Sequence, residues 1–282
     1  MKDPRSEIRV DSDDLRPCPP VGPWAETKYE LISTYAELFA KGMKAKWESR
    51  VYIDLYAGAG YSQIDGTSIT LKGSPILALS VTCPFDKYIF CEENPENMAA
   101  LRERVRRVAP NADVSFVEGK CDEMVEQICN LIPKPSRDRR VLSLCFVDPY
   151  DFGIRHQTLK KLSKVFMDFL VLLAIGMDAN RNYDHYVDGN SQKIDLALGN
   201  TEWRDRWKGH ARKDFRTFLA TEFAASMESL GYKRSEVYDM KLVRSNEKNL
   251  PLYYLALFSR HDRGSDFWRK VLDYNNDQPK LF

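Results

Sequence analysis

The chain has 282 residues, 43% hydrophobic and 12% aromatic, enough to build a sizeable core without disulfides or metal. Its formal charge of +1 gives no global basic field, so any contact with nucleic acid has to be local. No apolar run reaches the roughly 18 residues that span a bilayer, and the opening MKDPRSEIRVDSDD does not fit a secretory signal, so a cytoplasmic protein without membrane contact is expected.

Residues 1–23 are acidic and proline-rich (Asp11, Asp13, Asp14, Pro17, Pro19, Pro20, Pro23) and are expected to form a flexible N-terminal arm. Residues 24–282 read as one domain. Leu31, Ile32, Tyr35, Leu38 and Phe39 recur at helical spacing, with Gly42 near the expected helix end. Short apolar runs rich in β-branched and aromatic residues predict buried strands at 51–55, 87–91, 113–117, 141–147 and 168–175. Helical faces lie between them: Met98, Leu101, Val105 and Val108; then Met124, Val125, Ile128 and Leu131; then Leu159, Leu162 and Phe166.

Residues 176–210 are polar, aromatic-studded and weakly periodic, and read as an insertion. A helix through Phe215, Leu219, Phe223, Met227 and Leu230 follows, with Gly231 as its left-handed cap. Two strands at 236–243 and 252–259 are joined by the turn-like SNEKNLP. Strands alternating with helices imply βαβ crossovers, hence a doubly wound, Rossmann-like α/β sheet, mostly parallel with an antiparallel C-terminal strand and helices on both faces. Ligands of such sheets bind beyond the carboxyl ends of the strands.

The first of these ends reads Asp54-Leu55-Tyr56-Ala57-Gly58-Ala59-Gly60, and Gly58 and Gly60 permit a sharp turn that a ligand can approach closely. The third glycine of the dinucleotide fingerprint is absent, since Tyr61, Ser62 and Gln63 follow, which disfavours a pyrophosphate. With the carboxylate of Asp54 beside the turn, a nucleoside bearing a cationic amino-acid moiety fits better, and S-adenosylmethionine is the simplest one. Tyr56 belongs to the same candidate site. On the second strand, Glu92 can accept both ribose hydroxyls, while Asn94 before Pro95 is a good helix N-cap. After the third strand, Asp122 either accepts a hydrogen bond from an adenine amino group or caps the following helix.

The fourth strand ends in Asp148-Pro149-Tyr150-Asp151-Phe152. Proline ends the ladder there. Asp148 and the Pro149 carbonyl can accept hydrogen bonds from an amino group, and Tyr150 can stack on a planar base, so alignment supplies the catalysis and no metal is needed. The alternative is a plain strand end with a packed tyrosine. Asp151 and Phe152 are secondary candidates.

Six cysteines (18, 83, 91, 121, 129, 145) form no Cys-x-x-Cys pair and are read as reduced, structural thiols. The four histidines (156, 185, 210, 261) show no metal-ligand spacing, so no metal site is expected.

Together these segments resemble the class I methyltransferases, and Asp148-Pro149-Tyr150 is similar to the Asp/Asn-Pro-Pro-Tyr signature of amino-group methyltransferases. Trp24, Lys28, YIDLYAGAGYS, Gly73-Ser74-Pro75, Cys91-Glu92, Asp148-Pro149-Tyr150 and YYLALFSRHDRGSDFW resemble the three-Cys-motif partner proteins over residues 24–275. That resemblance implies a bacterial or phage-borne methyltransferase-like protein working beside a radical-type partner that carries the three cysteines. It implies cofactor residues Asp54, Gly58, Gly60, Glu92 and Asp122, and a catalytic segment Asp148, Pro149 and Tyr150. Two departures are Lys120, where aspartate is common in such sequences, and the missing second proline before Tyr150. The expected activity is methyl transfer to an amino group of RNA or DNA; the alternative is a non-catalytic cofactor-binding or scaffolding subunit.

For a nucleic-acid substrate, the insertion offers aromatics interleaved with cations: Arg181, Tyr183, His185, Tyr186, Trp203, Arg204, Arg206, Trp207, Lys208 and Arg212. Acidic Asp178, Asp184, Asp188, Asp195, Glu202 and Asp205 are mixed through them. Lys134, Arg137, Arg139 and Arg140, and the helical Arg102, Arg104, Arg106 and Arg107, read as solvated faces.

Overall fold

The run around Val51 is buried at every position of the strand it forms, β2 (Ser49–Asp54), as a strand covered on both faces has to be. The computed structural model describes residues 8–10, 14, 16–176, 182–189, 191–245 and 248–277. Asp11, Asp13, Asp178 and Arg181 lie outside the described residues. The chain divides into two compact units, Met1–Phe146 with Asp266–Phe282, and Val147–Ser265.

In the first unit, β5 (Lys87–Glu92), β6 (Val114–Glu118) and β7 (Val141–Val147) run parallel with β2 in the order β6-β5-β2-β7. Helix α1 (Ala25–Met43) precedes β2, and helices α2 (Ser74–Leu79), α3 (Pro95–Val108) and α4 (Cys121–Leu131) occupy the connections. Parallel neighbours require such crossovers. The α/β class, doubly wound and Rossmann-like, is therefore the one expected. Gly42 lies near the end of α1 as expected, one residue before Met43, and a β-carbon there would overlap the Phe267 ring of the last helix, α10 (Asp262–Asp277). Its small size serves close packing between two helices.

Three short strands form a second sheet, β1-β3-β4: β1 (Pro20–Val21), β3 (Tyr61–Ile64) and β4 (Thr70–Lys72). Near the N-terminus, Ile8 is buried, Arg9 bridges to Leu71, and the Val10 amide donates to the Thr70 carbonyl at 2.9 Å. Arg50 is buried too, and its guanidinium is satisfied by Asp86 and the carbonyls of Ala40 and Pro84.

The second unit holds α5 (His156–Leu162), β8 (Met167–Leu173), α9 (Phe215–Ser229), β9 (Lys241–Arg244) and β10 (Pro251–Phe258). Its strands are antiparallel, with β10 between β8 and β9. The strand expected from 236 starts only at Lys241, because Glu236 and Asp239 close a reciprocal capping box around the 3-10 turn Val237–Asp239. Gly231, at φ +87°, follows the end of α9 as expected.

The insertion forms α6 (Tyr183–Val187), α7 (Lys193–Leu198) and α8 (Trp203–Trp207). Its reading as a stacking groove is corrected. Tyr186, Trp203 and Trp207 are buried, and Trp203 and Trp207 pack with Phe215 of α9. The cations beside them are paired, Arg204 with Asp195 and Arg206 with Glu222, and at the exposed surface Lys208 with Asp205 and Arg212 with Asp184.

Candidate functional site

Asp54 ends β2, opposite Phe90 of β5 and Phe146 of β7, so this position sits at the carboxyl edge of the parallel strands. Its side chain is fully buried, and Oδ1 accepts the Tyr56 amide at 3.2 Å. The chain then leaves the sheet through Gly58 (φ +62°) and Gly60 (φ +85°), conformations that side chains with a β-carbon seldom adopt. A β-carbon on Gly58 would meet nothing within 4 Å, so the space above that residue is open. On Gly60 it would lie 2.9 Å from Leu101 Cδ1.

The turn does not lead into a helix. Tyr61–Ile64 and Thr70–Lys72 intervene as antiparallel strands, and helix α2 starts only after Gly73. Gly73 donates its N–H to the Gly60 carbonyl at 2.7 Å, and a β-carbon on it would sit 3.0 Å from that oxygen. The close approach that a third glycine gives in dinucleotide sites is thus made by a residue beyond a hairpin. Sequence spacing alone hid it.

Glu92, at the end of β5, cross-links the turn. Its Oε2 accepts the Gly58 amide and its Oε1 the Asn94 amide, both at 2.8 Å. Each carboxylate oxygen keeps a second acceptor site, so the group is oriented without being exhausted. Asn94 caps α3 as expected, accepting the amides of Glu96 and Asn97. Asp122 lies in the first turn of α4, whose N-cap position is Lys120; the capping alternative for Asp122 is therefore corrected. Tyr56 hydrogen-bonds Cys121, while burial pushes that thiol up to about 11. Burial likewise raises Cys91 and Cys145, consistent with inert thiols.

In the second unit, Asp148, Pro149 and Tyr150 directly follow β7. Asp148 is half-buried, Pro149 buried and Tyr150 fully exposed. The packed-tyrosine alternative is corrected by that exposure. The secondary candidates have structural partners: Asp151 pairs with Lys193 at 2.6 Å, and Phe152 is buried edge-on against Phe223.

The sequence reading placed Arg104 on a solvated face, and it is buried instead, holding the Ala59 carbonyl of the turn at 2.8 Å. It lies three residues after Leu101, on the apolar face of α3, and that spacing was the available signal. Among the described residues, no helix is long and apolar enough to cross a membrane.

No family model and no curated protein matches the chain. Solved structures do resemble it. The O-methyltransferase of Bacillus cereus in complex with SAH has 11% identity, with 86% of this chain and 84% of that one covered and a TM-score of 0.48. Trm1 of Pyrococcus horikoshii with S-adenosyl-L-methionine has 9% identity, coverage of 92% and 63%, and a TM-score of 0.46. Cofactor-bound Rv0187 from MTB has 14% identity, coverage of 81% and 79%, and a TM-score of 0.45. These are likenesses of chain path, and no residue role is taken from them.

Proposed function

We propose that the chain is a methyltransferase that binds S-adenosylmethionine at the β2 turn and methylates an amino group, with a nucleic-acid base as the acceptor. The carrying observation is the turn itself: two left-handed glycines after a central parallel strand, open space at Gly58, and a Glu92 carboxylate held on the Gly58 amide. The two remaining acceptor sites of Glu92 suit the ribose diol. Asp54 and Tyr56 shape the base of the turn, and Asp122 is the candidate acceptor for the adenine amino group. When bound there, the cofactor supplies a methyl group on a positively charged sulfur.

Asp148 and the Pro149 carbonyl accept the two hydrogens of an amine, which orients its nitrogen lone pair, and the exposed Tyr150 offers a stacking face. Positioning of this kind needs no metal. The resemblance of the sequence to three-Cys-motif partner proteins supports a radical-type partner. A second reading, a cofactor-binding or scaffolding subunit that transfers nothing, is favoured by one observation: both oxygens of Glu92 are already engaged by the protein's own amides.

Calorimetry with S-adenosylmethionine and with SAH tests the cofactor site. Wild type should bind both. Gly58→Val should bind neither, because a β-branched residue is strained at φ +62° and its methyls enter the open space. Absence of binding to wild type would sink the cofactor assignment. Transfer of labelled methyl to total nucleic acid, lost in Asp148→Ala with binding retained, separates the enzyme from the scaffold.

A further inference from the structure

Arg104 has a place that no motif announces. Its side chain is 1% exposed, and its guanidinium joins the N-terminal segment to the glycine turn. Nη1 donates to the Ala59 carbonyl at 2.8 Å and to the Pro17 carbonyl at 2.9 Å. Nε and Nη2 donate to the two oxygens of Asp14 at 2.9 and 2.7 Å. The guanidinium also lies over the Tyr61 ring, 4.3 Å from its centroid. Further along the segment, Pro20 and Val21 pair with Gln63 and Ile64 of β3, the strand that leaves Gly60.

The physical consequence concerns Ala59. It stands between two glycines at positive φ, which are conformationally permissive, so a partner for its own carbonyl is what fixes the orientation of that peptide. A carbonyl held by a buried, charged donor has one orientation. That donor in turn needs Asp14, because a buried guanidinium without its carboxylate is strongly destabilised. The Arg104 hydrogen bonds hold the Asp14 carboxyl below the usual carboxylate range, so the pair stays ionised around neutral pH.

We infer that Arg104 is a positioning residue for the cofactor turn, and that Asp14 with residues 16–21 forms a strap whose docking on Arg104 fixes the turn in its binding shape. Loss of the strap frees the Ala59 peptide and weakens nucleoside binding, so a segment remote from every motif regulates the site. This rests on the reading of the β2 turn as a cofactor site.

The test uses the full chain with two readouts: SAH calorimetry, and hydrogen exchange at the amides of Ala57, Gly58 and Gly73. These amides donate to Cys91, Glu92 and Gly60 and so report the turn. Asp14→Asn and Arg104→Lys should speed exchange at these amides by about tenfold and weaken SAH by about tenfold, with Asp14→Glu closer to wild type. Phe39→Leu, a fully buried change elsewhere in the unit, should lower the melting temperature without moving either readout. Unchanged exchange and affinity in Asp14→Asn and Arg104→Lys overturn the inference, as does an equal response in Phe39→Leu. If wild type fails to bind SAH while the exchange coupling holds, the cofactor reading fails and the pinning of the turn by the strap stands.

Discussion

Asp168→Asn is expected to stabilise the chain at about pH 8 and to change little at about pH 4, with the difference growing between those limits to on the order of 4 kcal/mol. Asp168 lies in β8, 6% exposed, and burial raises its carboxyl to about 7, against the opposing effects of Ser259 and the Arg260 guanidinium. Burial is what favours the neutral acid, and Ser259 offsets it only in part because its hydroxyl is shared. Its hydroxyl donates to the His261 carbonyl at 3.1 Å and accepts the His261 amide at 3.2 Å. A protonated Asp168 can donate to the remaining lone pair of that oxygen, whereas an ionised one competes for its single proton. Arg260 is already committed to the carbonyls of Ser163, Val165 and Leu230.

The sign follows from proton uptake. Below about pH 4 both folded and unfolded chains hold the proton, and the pocket costs nothing extra. Between about pH 4 and 7 the folded chain keeps a proton that the unfolded chain has lost, so stability falls as pH rises. Above that range the buried charge carries its full penalty. Asparagine mimics the neutral acid and cannot ionise. Chemical denaturation of both proteins across this range measures the effect, and parallel pH curves would show that Asp168 ionises freely in the fold.

The parallel strands and the glycine turn were legible because their signals are local. A buried parallel strand is a continuous apolar run, as in Val141–Val147, and a left-handed glycine announces itself at Gly58 and Gly231. What stayed hidden depends on residues distant in the chain. Gly73 closes on Gly60 across a hairpin that breaks the familiar glycine spacing. Gly42 stands near the helix end as composition suggested, but its contact with Phe267, over two hundred residues away, could not be read from it. Arg104 read as solvated because arginine usually is; its spacing from Leu101 put it on the apolar face of its helix, but the carbonyl and carboxylate acceptors that bury it come from residues distant in the chain. The aromatic insertion misled for the same reason. Aromatics mixed with charges fit a stacking groove and a small satellite core equally well until partners are known.

That ambiguity makes Trp203→Ala informative. In a stacking groove the indole would be reachable and its loss would weaken oligonucleotide binding with little cost to folding. In the structure the ring is fully buried, its N–H donates to Asp195 at 2.7 Å, and Arg204 covers it at 4.5 Å while pairing with the same carboxylate. Truncation removes a large apolar volume beside Phe215 and leaves Asp195 with one donor fewer, so a loss of about 3–5 kcal/mol in unfolding free energy is expected. Tyr150→Ala should behave in the opposite way. That ring is fully exposed, so its removal should change stability by no more than about 0.5 kcal/mol, while acceptor binding should weaken. Urea unfolding and oligonucleotide titration of the two variants side by side read both effects. A stable Trp203→Ala protein with impaired oligonucleotide binding would return the insertion to the role of a groove and take the stacking function away from Tyr150.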